Sequence, residues 1–332
     1  MRPFEYASPA ALDQVGELLG TQWGANAILA GGTDLLALMK DDVERPQRLV
    51  NIKKLPDLAG IRNIPTGAMQ GGLRIGALTL IQDVADNAQV QKSYPALAHA
   101  CGEAASPQIR HMATMGGNLC QRPRDWYYRN RFGLLAVDTK TGKSLLADGD
   151  NRYAAIFGNQ GPAKFVSPSS IAPVLIAYGA QVVIYSQGKP RALALEKFFV
   201  TPQKDGEREH ALAPNEIVTE ILLPAASGVR AANYEVRQKY SFDWPLATAA
   251  VALMMDGGNV KSARVVMGHV APVPWVSEEA AQALAGKPLN EQTAVAAADA
   301  AVAKATPLSR NGYKVQLARV AVKRALLAAA KG

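Results

Sequence analysis

The chain has 332 residues, 48% hydrophobic and 19% charged, the balance of a globular protein able to bury a core, and at this length at least two packed units are expected. Its formal charge of +8 would suit a polyanion, but arginine is concentrated only in residues 122–131 and no nucleic-acid motif accompanies that stretch, so a nucleic-acid partner is not expected. Two cysteines and four dispersed histidines exclude a disulfide framework and a ligand-spaced metal site.

The opening Met1-Arg2-Pro3-Phe4 has no basic region followed by an apolar stretch, and no run approaches the ~20 apolar residues of a membrane span, so neither an export signal nor a membrane partner is expected. The spacing of apolar residues predicts a short helix around Ala10–Leu19 and a strand over Ala27–Ala30. Two glycines and a helix from Leu35 to Met39 follow, then a strand over Arg48–Ile52. Pro56, Pro65, Gly67, Gly71 and Gly72 punctuate the next stretch, which sets a subdomain boundary near Leu55. Leu73–Ala77 reads as a strand, with Thr79 as cap of a helix running through Val84, and a further helix spans Pro95–Ala105.

Residues 121–158 form an irregular, insertion-like stretch too long for an ordinary connection. Beyond it come a helix over Ile171–Ala177 and strands over Gln181–Tyr185 and Ile217–Leu223, the last ending at Pro224. From Val229 the texture changes. Strands are predicted over Ala231–Val236 and Arg264–Gly268, and helices over Ala247–Met254, Ser277–Leu284, Glu291–Ala305 and Leu317–Ala330, together a C-terminal α+β domain over 229–332.

Two glycine motifs carry the chemistry. In Leu29-Ala30-Gly31-Gly32-Thr33-Asp34-Leu35 the glycines let the backbone turn sharply and approach a ligand, and the amides of Thr33 and Asp34 sit where a helix begins, a suitable cradle for a pyrophosphate. Alone, the motif is equally a capped strand-to-helix turn. Thr114-Met115-Gly116-Gly117-Asn118 repeats the chemistry, with a hydroxyl and an amide able to reach phosphate or ribityl oxygens. Two such loops about eighty positions apart can clasp one dinucleotide; the Rossmann glycine fingerprint and the Walker lysine are both absent.

With these motifs in this order, the chain resembles the FAD-binding medium subunits of xanthine dehydrogenase, carbon monoxide dehydrogenase and bacterial aldehyde oxidoreductases. The carriers are residues 29–40, Asn51-Ile52-Lys53-Lys54-Leu55, Ile75-Gly76-Ala77-Leu78-Thr79 and Ser106–Asn118. The resemblance implies an α+β fold: a two-lobed FAD-binding domain of the vanillyl-alcohol-oxidase (PCMH) type over 1–226, with subdomains of about 1–55 and 56–226, then the C-terminal α+β domain. It implies that Leu29, Ala30, Gly31, Gly32, Thr33, Asp34 and Leu35 hold the pyrophosphate, with Thr114, Gly116, Gly117 and Asn118 on the other side. Gly76, Gln121, Ser170 and Arg237 are the further implied cofactor contacts. A cation at Arg237 would stabilise reduced, anionic flavin; otherwise it is a surface strand arginine.

The sequence departs from the family in three places. Some aldehyde-oxidoreductase relatives carry a [4Fe-4S] cluster after Gly-Gly-Asn-Leu, but residues 121–158 hold no cysteine, so no such cluster is expected and Cys120 reads as a small buried residue. Ser170 stands where relatives have an aspartate. His111 stands where asparagine is usual and reads as a loop histidine. The implied function is an electron-transfer subunit of a heterotrimeric molybdenum hydroxylase, with two [2Fe-2S] clusters on a small partner subunit and molybdopterin on a large one. No catalytic residue and no metal ligand is expected in this chain. The alternatives are an autonomous FAD-dependent oxidase or reductase, and a scaffold that has lost FAD. The expected compartment is the cytoplasm, or the periplasm if a partner subunit carries the signal.

Overall fold

A computed structural model describes residues 1–138, 140–239 and 242–331. The first 51 residues build a small parallel sheet in the order β1 (Glu5–Ala7), β3 (Arg48–Asn51), β2 (Asn26–Leu29). Parallel neighbours need a crossover, and the helix Leu35–Lys40 lies in the one from β2 to its neighbour β3; the helix Asp13–Leu19, between β1 and β2, buries Val15 and Leu19 with Val50 and Ile52.

The second sheet is antiparallel, ordered β4 (Ile61–Asn63), β5 (Leu73–Gly76), β8 (Ile217–Leu223), β6 (Gln181–Ser186), β7 (Lys189–Ala194). Leu73, Ile75, Val182, Ile184, Ile221 and Leu223 share one core with the helices Pro95–Glu103 and Ile171–Ala177. β7 was not predicted, because Lys189, Pro190 and Arg191 are exposed and give no apolar alternation. The expected cap by Thr79 is corrected: the helix starts at Ile81, and the Thr79 hydroxyl instead exchanges hydrogen bonds with the Gly60 backbone, at 2.9 and 3.1 Å.

The third sheet is ordered β12 (Trp275–Val276), β11 (Asn259–Gly268), β10 (Pro245–Asp256), β9 (Val229–Arg237). β10 overturns a second expectation, since 247–254 is a central strand and not a helix. Alanine has high helix propensity, but Ala247, Ala249, Val251 and Leu253 face one core while Ala250 and Ala252 face another. A strand buried on both faces loses the polar alternation that marks strands, and periodicity then fails to separate it from a buried helix. One face packs the helix Tyr313–Ala330, with the helix Glu291–Val302 packed against that helix in the same core, and the other face packs the helix Ile171–Ala177. No helix among the described residues is long and apolar enough to cross a membrane.

Candidate functional site: a cleft between two glycine loops

The first loop leaves the parallel sheet where the Leu29 carbonyl accepts its last ladder bond, from Ile52 N at 3.2 Å. Gly32 then takes a left-handed conformation (φ +73°) that turns the chain into the helix Leu35–Lys40. Gly31 is required for a different reason: a Cβ there would lie 1.9 Å from the carbonyl oxygen of Met112, on the approach to the second loop. Among the described residues, the five successive amides of residues 31–35 have no protein acceptor. Unpartnered backbone N–H groups are rare unless solvent or a ligand takes them.

The second loop is built differently. Met115 N donates to Thr79 O (2.9 Å) and Gly116 N to Ala77 O (2.8 Å), which seat the loop on the end of β5. A Cβ on Gly116 would lie 2.9 Å from that of Ala77. The Thr114 hydroxyl caps the helix Met115–Cys120 by accepting from Gly117 N at 3.1 Å, and Asn118 N donates to Thr114 O at 2.8 Å. All four amides from 115 to 118 are thus engaged by protein. Thr114, having accepted, still has its O–H to donate. The two loops do not repeat one chemistry: the first offers amides, the second a hydroxyl and a close-packed wall.

Between them lies a cleft of ≈ 230 Å³. Ala30, Gly31, Gly32, Thr33, Asp34, Leu35, Thr114, Gly116, Gly117 and Gln121 line it. Leu29, Gly76, Asn118, Ser170 and Arg237 lie off its walls. Leu29 ends β2, and a Cβ on Gly76 would meet the Leu58 carbonyl oxygen at 2.4 Å. Asn118 Oδ1 accepts from the Ser169 hydroxyl (2.6 Å), and Ser169, not Ser170, receives the Ala172 amide (2.9 Å). Arg237 is held by Glu235 (2.5 Å), the Glu103 carboxylate (3.4 Å) and the Glu103 carbonyl (2.8 Å). Two carboxylates therefore offset the cation expected there.

Sequence reasoning missed the residues that close the cleft. Asp34 turns to the start of the insertion-like segment, accepting from Arg122 N (2.8 Å) and Arg129 (2.9 Å) and pairing with Arg124 (3.2 Å). The Arg122 side chain bridges Glu209 (2.6 Å) and Glu44 (2.5 Å), and Glu44 also holds the Tyr128 hydroxyl (2.8 Å) and Arg208 (3.3 Å). Three of the four arginines that gave residues 122–131 a nucleic-acid look, Arg122, Arg124 and Arg129, are thus turned onto carboxylates. Arg208 lies over the Trp23 ring at 4.9 Å at the cleft wall. His210, stacked on Phe198, is half-buried with Nδ1 shielded and unpartnered, and desolvation, aided by Arg122, pushes its pKa down to about 4. Burial raises the Cys120 thiol to about 12, so it stays protonated, and no cluster of metal-ligating side chains occurs among the described residues.

Residues 2–226 match the family model described as the FAD binding domain in molybdopterin dehydrogenase, and 232–329 match the carbon monoxide dehydrogenase flavoprotein C-terminal domain. The chain belongs to the FAD-binding subunits of the molybdenum hydroxylases. Among curated members, it is similar to the aldehyde oxidoreductase FAD-binding subunit PaoB of Escherichia coli (strain K12), at 33% identity over 88% of this chain and 87% of that one. It is also 30% identical to the carbon monoxide dehydrogenase medium chain of Hydrogenophaga pseudoflava, over 98% and 96% of the two chains. A solved structure of carbon monoxide dehydrogenase from that organism superposes with TM-score 0.76, covering 99% of this chain and 98% of that one. The α+β class expected from the sequence agrees with this mixed helix-and-sheet likeness. As a molybdenum hydroxylase FAD subunit, the chain is an oxidoreductase component, and the residues present fit the cofactor. Unpartnered amides, an orphaned imidazole nitrogen and a Thr114 O–H all border one cleft.

Proposed function

We propose that this cleft holds FAD with its diphosphate on the amides of residues 31–35, and that the chain relays electrons from [2Fe-2S] clusters of a small partner subunit to an external acceptor. A large molybdopterin subunit would oxidise the substrate. The observation that carries this is the row of five free amides facing a cleft whose carboxylates are matched. Asp34 is paired with Arg124 and Arg129, Glu44 with Arg122 and Arg208, and Glu216 with Arg191. A dianion entering there meets donors and no net repulsion from the walls.

Each residue then has a definite task. Gly31 keeps the loops in contact, Gly32 aims the amides, and Thr114 donates from the opposite wall. Gln121, whose amide donates to Asn118 O at 2.9 Å, sits where the second loop passes into the closing segment. Trp23 and Arg208, in contact with each other at the cleft wall, would limit water there. Bound there, FAD would supply the conversion between single electrons from clusters and the pair an acceptor takes. The FAD-binding unit would run over 1–226 and the C-terminal unit over 229–332, with the complex in the cytoplasm.

The test uses the purified chain and its small partner. Stoichiometric FAD in the absorption spectrum, reduced anaerobically by the pre-reduced [2Fe-2S] subunit, is the expected result. Failure to retain FAD would defeat the assignment of the cleft. Rapid turnover of an organic donor by the isolated chain would favour an autonomous oxidase.

A further inference from the structure

The strap of residues 121–131 that closes the cleft is fastened to the first glycine loop at one side chain, Asp34. One carboxylate oxygen, Oδ2, accepts from Arg122 N (2.8 Å); the other, Oδ1, accepts from Arg129 (2.9 Å) and lies 3.2 Å from Arg124. Asp34 lines the cleft, whereas Arg124 and Arg129 do not. Among the described residues, these two are the cations within ion-pair distance of Asp34, the Arg122 guanidinium being taken by Glu44 and Glu209.

That side chain forgoes the bond its position offers. Asp34 stands immediately before the helix Leu35–Lys40, where an aspartate ordinarily accepts from an amide of the first turn, yet it makes no such cap bond. Its carboxylate is drawn to the strap instead. Arg129 is suited to that pull: its Nε donates to Pro123 O (2.8 Å), and its Nη2 to Arg122 O (3.0 Å) as well as to Asp34. One planar guanidinium thus folds the strap and presents it to the carboxylate. The Arg129 side chain is 15% exposed and that of Asp34 16%, so water screens the pair less than it would a surface pair. Arg124 adds a second hold, its guanidinium lying over the Trp244 ring at 4.6 Å.

Released from the strap, the Asp34 carboxylate would be a free negative charge on the same loop as the unpartnered amides of residues 31–35, the donors assigned above to a diphosphate. It would compete for those amides and repel an incoming dianion. Held on the strap, it does neither. We propose that Arg129, with Arg124, is a positioning residue for cofactor binding: it keeps the Asp34 carboxylate off the amides, so that the cleft takes a ligand's anion rather than its own. This inference rests on the reading of the cleft as the FAD site.

The experiment is equilibrium dialysis of the full-length chain against FAD in four proteins: the parent, Arg129→Gln, Asp34→Asn, and the two substitutions combined. Arg129→Gln alone should weaken FAD about tenfold, a mid-range coupling for residues in one ion-pair network. With Asp34→Asn already present there is no charge to restrain, and the same change should cost less than about twofold. A residue that merely packed the strap would cost the same in either background, since its bonds to Pro123 O and Arg122 O do not involve Asp34. Equal losses in the two backgrounds, or no loss from Arg129→Gln alone, would overturn the proposal and leave the cleft as the FAD site. A parent that binds no FAD overturns the proposed function and this inference with it. Should Arg129→Gln not fold, Arg124→Gln, at a side chain 29% exposed, decides by the same comparison.

Discussion

Gly31 and Met112 mark the point where the two glycine loops touch, since a Cβ on Gly31 would lie 1.9 Å from the Met112 carbonyl oxygen. No side-chain rotation relieves a collision with backbone. Gly31→Ala should therefore push the loops apart and lower FAD affinity by at least tenfold, read by equilibrium dialysis or flavin content after purification. Gly102→Ala, at a position with open space around it, is the control and should retain FAD. Undiminished FAD affinity in Gly31→Ala would count against the two-loop cleft.

Arg122 is the keystone of the closing segment. Its side chain is 12% exposed and meets Glu44 and Glu209, both partly or wholly buried. Arg122→Met leaves Glu209 without a cation and Glu44 with Arg208 alone, and loss of one partner of a buried pair costs about 3–5 kcal/mol. Chemical denaturation should show a loss of that size. Limited proteolysis should find residues 122–138 cut faster than in the wild type. A variant as stable as the parent would mean that the network contributes nothing net.

Thr114 separates two roles by substitution. Its side-chain oxygen caps a helix, so Thr114→Val should cost about 1 kcal/mol of stability. Thr114→Ser keeps the cap. If the free O–H also donates to the diphosphate, Val lowers FAD affinity and Ser restores it. Equal FAD affinities in the two variants would reduce Thr114 to a cap.

The pH dependence follows from His210. Its folded pKa of about 4 lies below its ordinary 6.5, so between these values the unfolded chain binds a proton that the folded chain refuses. Stability attributable to this group is present above pH 6.5 and is lost as the pH falls through 4, at up to about 1.4 kcal/mol per pH unit. His210→Gln cannot titrate. The stability difference between variant and parent should therefore shift in the variant's favour from pH 7 to pH 4.5, measured by denaturant midpoints. A constant difference would place His210 in contact with water.

Much of the fold was legible because local chemistry announced it. The strand-glycine-helix order at 26–40, the apolar strand ending at Pro224 and the helix Glu278–Leu284 all appear where the residue pattern put them. β10 was misread because small residues buried on both faces carry no period. In the site, the glycines were visible, but their division of labour was not. That Gly31 answers to Met112 and Gly116 to Ala77 depends on segments brought together by the fold. Arg122, Glu44, Glu209 and Arg208 were invisible for the same reason: their pairing spans 78 and more positions, and nothing local marks a charge that will turn inward.

The sheet shared between two cores has a practical meaning for anyone wishing to pare this protein to a minimal flavin carrier. The family models part company between 226 and 232, which invites a cut there. Yet Ala250, Ala252 and Val266 are roof tiles over the helix Ile171–Ala177, every residue of which is buried. Severed at that seam, the N-terminal piece would present a bare, greasy flank and precipitate. What reads as two cassettes along the gene is one fabric in space.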